Sequence, residues 1–182
     1  LFSAMIKGLV KSKNGITEVL LKFSPILLCS LGIAIAFRAG FWNIGAEGQI
    51  FMGAVFAFGA ASFTTNWPSL FAISFVVVSG FIGGALWGVI PAVLKLRYAV
   101  NEIVTTLMLN YVAKYFLFYL VHGPWKMPNY LYPWSSPIPA SAIIPKIPGT
   151  RIHFGVFLGV GALIVISVLI HKTYFGYRAK FI

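Results

Sequence analysis

The sequence predicts an all-α, polytopic transmembrane helix bundle of about five helices, and three observations carry that reading. Hydrophobic residues make up 59% of the 182 and charged ones 9%, with a mean hydropathy of +0.91, which is more apolar surface than a soluble domain of this size can bury. The apolar residues gather into long runs, Ile26 to Phe37, Ile50 to Phe63, Leu70 to Leu94, Ile103 to Val121 and Phe154 to Ile170, and a helix needs roughly 20 mainly apolar residues to cross a bilayer. Basic residues punctuate these runs instead of forming a soluble basic face. The formal charge of +11 therefore reads as topology signals and interfacial anchors, and a nucleic-acid partner is set aside.

With flanking residues added, the runs predict helices over about 22–38, 45–64, 69–94, 101–121 and 153–171. Cys29 is the single cysteine, so an intrachain disulfide or thiolate metal cluster is excluded and it is expected to pack. No secretory signal is visible, and a chain beginning at Leu1 is expected to lack residues upstream. Orientation follows from Lys and Arg beside the spans, because cytoplasmic loops hold the excess. Lys95 and Arg97 mark one inside turn, and Lys172, Arg178 and Lys180 another. The uncharged connection Thr64 to Ser69 is then outside, with Arg38 at the inside edge. Counting back places Lys7, Lys11, Lys13 and Lys22 outside, against the rule. Either the first run does not fully cross, or an upstream span fixes the topology, the latter being preferred.

The stretch "FWNIGAEGQIF", positions 41–51, sets Asn43, Glu47 and Gln49 among glycines between two apolar runs. Asn43 is a candidate helix N-cap, and Gly45 and Gly48 loosen the backbone, so an interruption just before Ile50 is expected. Glu47 has two readings: a favourable anion on a first turn near the inside boundary, or a group at a transport gate. In the next helix, Gly80, Gly84 and Gly88 recur every four residues and offer one face for close helix approach, with Pro91 near the end of that helix.

The second polar cluster is "YAVNEIVTTLMLNYVAKYF", positions 98–116. Asn101 is a reasonable N-cap, and Glu102, Thr106 and Asn110 share a face with Thr105 beside it. Such a stripe must turn toward protein or water. It reads either as interhelical hydrogen bonding or as substrate contact. The connection 122–152 carries Pro124, Pro128, Pro133, Pro137, Pro139, Pro145 and Pro148, which prevent an ordinary helix, and Trp125, Tyr130, Tyr132 and Trp134, which suit a headgroup layer. It is expected outside, as an interfacial cap or a substrate-contacting lid. His122 and His153 are too isolated for a metal site.

Aspartate is absent and glutamates number three. No phosphate loop of the G-x-x-x-x-G-K-[ST] kind, His-rich spacing or paired carboxylates support hydrolysis or group transfer, so catalysis by this chain is not expected and no metal is assigned. Uphill movement of a solute must draw energy from elsewhere.

"LGIAIAFRAGFWNIGAEGQIFMGA", followed after the intervening helix by "LKLRYAVNEIVTTLMLNYVA", resembles the membrane permease subunit of bacterial ABC importers in the sugar, nucleoside and branched-chain amino-acid group, with nucleoside-type permeases nearest. The resemblance implies a part of a larger ABC permease fold in the bacterial inner membrane. It implies a second permease subunit, a cytoplasmic ATPase using ATP and Mg, and an extracytoplasmic substrate-binding protein as partners, with no cofactor on this chain. Family members are usually much longer, and "HKTYFGYRAKFI", Thr173 and Gly176 included, resembles the start of the family's cytoplasmic segment. The chain is therefore expected to be the first half of a permease, as a fragment, split product or truncated copy. The implied mechanism is alternating access for a nucleoside or simple sugar, with Asn43, Glu47, Gln49, Asn101, Glu102, Thr105, Thr106 and Asn110 lining or bracing the path. The alternatives are a secondary transporter or channel, a non-functional remnant and, with least support, a membrane-embedded enzyme.

Overall fold

A computed structural model of the chain describes residues 13–178, so Lys7, Lys11 and Lys180 of the orientation argument lie outside the described residues. The elements in order are α1 (Lys13–Arg38), α2 (Ala46–Ala61), α3 (Ser69–Tyr98), α4 (Glu102–His122), a 3-10 turn (Ala140–Ala142), α5 (Gly155–Lys172) and α6 (Tyr174–Arg178). Among the described residues four helices are long and apolar enough to span a membrane, Gly15–Arg38, Ser69–Tyr98, Glu102–His122 and Gly155–Lys172, with Ala46–Ala61 a shorter apolar helix. The protein is a polytopic helical membrane protein. Its lateral surfaces carry large apolar side chains such as Phe81 at 76% and Leu96 at 84% exposure, which only lipid or another apolar surface can cover.

The observed boundaries depart from the apolar runs where a run's edge is not a helix breaker. The first described helix is already formed at Lys13 and does not wait until 22, because no proline interrupts Gly15 to Leu21. The one carboxylate there, Glu18, takes Arg151 Nη1 at 3.1 Å. The third helix continues past 94 to Tyr98, with Lys95 and Arg97 in its last turn, where positive charge complements the exposed carbonyls of a helix end. It stops at Ala99, which adopts a left-handed φ of 52°.

The chain forms two compact units. One joins the segments 1–41 and 144–182 and contains α1, α5 and α6. There the buried Ser24 donates through Oγ to the Gly155 carbonyl at 3.4 Å. A Cβ on Gly159 would lie 3.2 Å from Ser24 Oγ and 3.8 Å from Leu27. Glu18 meets Arg151 and Leu27 meets Gly159, so the two helices run parallel.

The other unit, Trp42–Ile143, is held together by missing side chains. Helix α2 presents Gln49, Gly53 and Ala57 to the Gly80, Gly84 and Gly88 face of α3. A Cβ on Gly53 would stand 3.0 Å from the Gly80 carbonyl oxygen, and one on Gly84 3.1 Å from that of Gln49. The helices are antiparallel, and their backbones touch where Gly53 faces Gly80 and Gly84 faces Gln49, the arrangement by which membrane helices gain van der Waals contact without a hydrophobic driving force. The loop after α4 folds over the ends of α2 and α3. Ser141 Oγ donates to the Thr64 carbonyl at 2.7 Å, Trp125 lies against Phe58 with ring centroids 4.6 Å apart, and Ala142 joins Ala61 and Ala72 in a small buried cluster.

Gly53→Leu is expected to destabilise the protein by about 1–3 kcal/mol through overpacking. Gly59→Leu, at a position with nothing within 4 Å of the new Cβ, is expected to leave it unchanged; thermal unfolding in detergent separates the two, and equal melting would remove the α2–α3 contact. Ala99→Gly is expected to raise stability by about 1 kcal/mol by relieving the left-handed backbone, seen as a higher Tm in the same assay.

Candidate functional site

The site grows from the point where the chain enters α2. Residues 41–45 are not helical, and their backbone groups need partners that a membrane interior cannot supply as water. Thr106 Oγ1 accepts from the Ile44 N–H at 3.3 Å and donates to the Glu102 carbonyl at 2.7 Å. Asn110 donates through Nδ2 to the Ile44 carbonyl at 3.0 Å and accepts at Oδ1 from the Gly48 N–H at 2.8 Å. Both side chains are buried, Thr106 at 1% and Asn110 at 8% exposure. Two residues of α4 thus satisfy three backbone groups of the α2 approach.

Asn43 does not cap α2. The N-cap is Gly45, and Asn43 Oδ1 instead accepts from the Gly45 N–H at 2.8 Å, closing a tight turn one step before the helix. Nor is the helix broken just before Ile50: it begins at Ala46 and runs through Gly48, because Asn110 takes the first-turn N–H that would otherwise be unsatisfied. Asn43 Nδ2 lies 3.5 Å from Gln49 Oε1, and the absent side chain of Gly88 leaves room for the Gln49 amide, whose nitrogen would be 2.6 Å from a Cβ there. A Cβ on Gly45 would reach within 3.0 Å of Thr106, and one on Gly48 within 3.1 Å of the Asn110 Cα and of the Trp87 indole nitrogen. These two glycines are what let α4 approach.

The remaining candidates divide by role. Asn101 is the N-cap of α4, accepting at Oδ1 from Ile103 N at 2.9 Å and Val104 N at 3.3 Å. Thr105 donates to the Asn101 carbonyl at 2.8 Å within its own helix. Glu102 accepts from Lys95 Nζ at 2.6 Å, which fastens the turn between α3 and α4. Glu47 is different. It is exposed and lies in the first turn of α2.

Glu47 lines a cavity of about 150 Å³ with Leu107, Asn110, Tyr111 and Lys114. Lys114 and Tyr111 escaped the reading of the sequence, although Lys114 extends the four-residue spacing of Glu102, Thr106 and Asn110 by one more step. It stands twelve residues into α4, roughly 18 Å from the helix start at 1.5 Å per residue. Because Ile44 and Gly48 meet Thr106 and Asn110, α2 starts roughly 6–12 Å along α4, and Glu47 sits at that depth and not at the helix ends. A charged residue at such a level in a spanning helix is retained only where it faces protein or water. A second cavity of about 330 Å³, lined by Ala54, Phe58, Leu117, Trp125, Ser135 and Ile138 among others, is almost wholly apolar and offers a polar solute little beyond the Ser135 hydroxyl.

Comparison with known proteins gives a consistent result. Residues 15–182 match the family model described as branched-chain amino acid transport system / permease component. A glucose ABC transporter permease protein of Haloferax volcanii is 30% identical, over 100% of this chain and 50% of its own length. A nucleoside ABC transporter permease protein of Lactococcus lactis is 27% identical over 93% of this chain and 49% of its own. A guanosine ABC transporter permease protein of Bacillus subtilis is 27% identical over 98% of this chain and 52% of its own. The chain spans about half the length of these curated relatives. No solved structure matches it.

Asn110→Leu is expected to destabilise the protein by about 2–6 kcal/mol, since it orphans the Gly48 N–H and the Ile44 carbonyl at roughly 1–3 kcal/mol each. Thr106→Val, which orphans one, is expected to cost about half as much. Chemical or thermal unfolding in detergent checks the ratio.

Proposed function

The chain belongs to the branched-chain amino acid transport system / permease component family, and from that premise we propose that it forms part of the passage for a nucleoside or simple sugar in an ATP-driven importer. The observation that carries the reading is the cavity between α2 and α4, where Glu47, Asn110, Tyr111 and Lys114 gather in otherwise apolar helices. Hydrogen-bonding groups at that depth suit a neutral hydroxylated solute in transit better than they suit structure alone, which the neighbouring Thr106 and Asn110 bonds already provide. The relatives described as glucose, nucleoside and guanosine permeases support the same cargo class.

In this reading a second permease subunit completes the passage, an extracytoplasmic binding protein delivers the solute, and a cytoplasmic ATPase holding ATP and Mg supplies the energy. The assembly sits in the bacterial inner membrane. ATP binding closes the ATPase, and permease helices rock about the central path between two states whose relative populations the nucleotide biases.

Proteoliposomes containing this chain with its partner permease and ATPase are expected to accumulate labelled guanosine, ribose or glucose only with internal or external ATP on the ATPase side and binding protein on the other. Accumulation driven by an ion gradient without ATP would replace this reading with a secondary transporter.

A further inference from the structure

We propose that Glu47 and Lys114 make the cavity between α2 and α4 a charge-balanced subsite for an uncharged, hydroxyl-rich sugar ring, with each residue excluding solutes of its own sign. The proposal rests on the transport reading above and names what the site selects.

Glu47 and Lys114 come from different helices and line one cavity. Among the described residues the ion pairs are Lys95–Glu102 and Arg151–Glu18, so the two opposite charges share a space without closing into a salt bridge. Lys114 Nζ rests 5.9 Å from the Phe118 ring centroid, a contact that steadies its stem while leaving its donors available. The gap matters, because opposite charges at membrane depth lower their cost either by touching or through polar groups placed between them. A collapsed pair would leave no room for cargo. The separated pair leaves a polarised space in which a hydroxyl can donate to the carboxylate while its neighbour accepts from the ammonium.

The other walls fit the same ligand. Asn110 spends one amide hydrogen on Ile44 and one acceptor position on Gly48, and an amide retains one further hydrogen and one further lone pair. Tyr111 adds a ring face and a hydroxyl. Leu107 supplies an apolar patch of the kind that faces the C–H side of a sugar ring. The carboxylate and the ammonium sum to zero, so Lys114 cancels the attraction that Glu47 would exert on a cation and Glu47 that of Lys114 on an anion; an ion then gains nothing to offset its lost hydration, whereas a neutral solute has little to lose. Removing one charge leaves the other uncompensated in a low-permittivity surrounding, where its effect on an ion is far larger than in water.

The complete transporter is tested with three probes of similar size: ribose, glucosamine at mildly acidic pH where its amine is charged, and glucuronate. Wild type is expected to prefer ribose. Lys114→Met is expected to raise the glucosamine-to-ribose uptake ratio about tenfold or more, and Glu47→Gln the glucuronate-to-ribose ratio by a similar factor. Uniform loss of uptake with both ratios unchanged marks a merely structural role and overturns the proposal. A second measurement does not depend on transport: Lys114→Cys and Glu47→Cys, each in a Cys29→Ala chain, react in membranes with small hydrophilic thiol reagents of either charge. The cationic reagent is expected to react faster at Lys114→Cys, where Glu47 remains, and the anionic one faster at Glu47→Cys. Equal rates, or no reaction at either, overturn the subsite even if ATP-driven uptake is intact; no uptake by wild type with the expected labelling pattern instead removes the transport reading and leaves the charge-balanced cavity.

Discussion

A backbone that leaves helical geometry at membrane depth must find its hydrogen-bond partners inside the protein, and this requirement organises the Trp42–Ile143 unit. Lipid offers no hydrogen-bond partner to the Ile44 N–H and carbonyl or the Gly48 N–H, and Thr106 and Asn110 supply one to each. The rest follows from reach. Side chains as short as threonine and asparagine can touch the backbone of another helix only if nothing stands between, which is why Gly45 and Gly48 occupy the facing positions. The approach to α2 is thus fixed by a pairing of short polar residues with residues that have no side chain at all.

Fastening α2 in this way sets where it begins. Its sixteen residues span roughly 24 Å, less than the approximately 30 Å of hydrocarbon, and the missing length falls at its start, beside the first two turns of α4. This start places Glu47 beside the cavity that Lys114 also lines. Helix α3 accepts the arrangement because Gly80, Gly84 and Gly88 let α2 lie directly on its backbone, and the loop closes the opposite end through Ser141, Trp125 and Ala142.

Two cavities of this unit show how the same helices can serve different chemistry at their two ends. Near the start of α2 the lining is carboxylate, amide, phenol and ammonium; near its end it is alanine, phenylalanine, leucine and tryptophan with one serine. A polar solute has favourable partners in the first and few in the second. Along the polar stripe at the start of α4 the side chains are committed to structure: Glu102 to Lys95, Thr105 and Asn101 to the α4 cap, Thr106 to Ile44. Glu47 and Lys114, which line the cavity beside that stripe, take no part in this scaffold.

Much of this was legible in the sequence, and the boundary between what was and was not has a physical origin. Apolar run length determined that the chain is a helical membrane protein, the four-residue glycine spacing marked a close helix contact, and the polar stripe of α4 declared that this face could not meet lipid; each depends on one helix at a time, whose period the sequence writes directly. A break before Ile50 was misjudged because it turns on what receives Gly48's N–H, a matter settled by Asn110, sixty-two residues away, and Asn43 closes a turn onto the Gly45 N–H instead of capping the helix. Lys114 went unremarked for the same reason: its spacing was visible, but its meaning depends on Glu47 arriving opposite it. Hydrophobicity and helical period act along the chain and so belong to the sequence, whereas the depth at which α2 starts, and with it the pairing of charges across a cavity, is decided by contacts between helices and exists only in three dimensions.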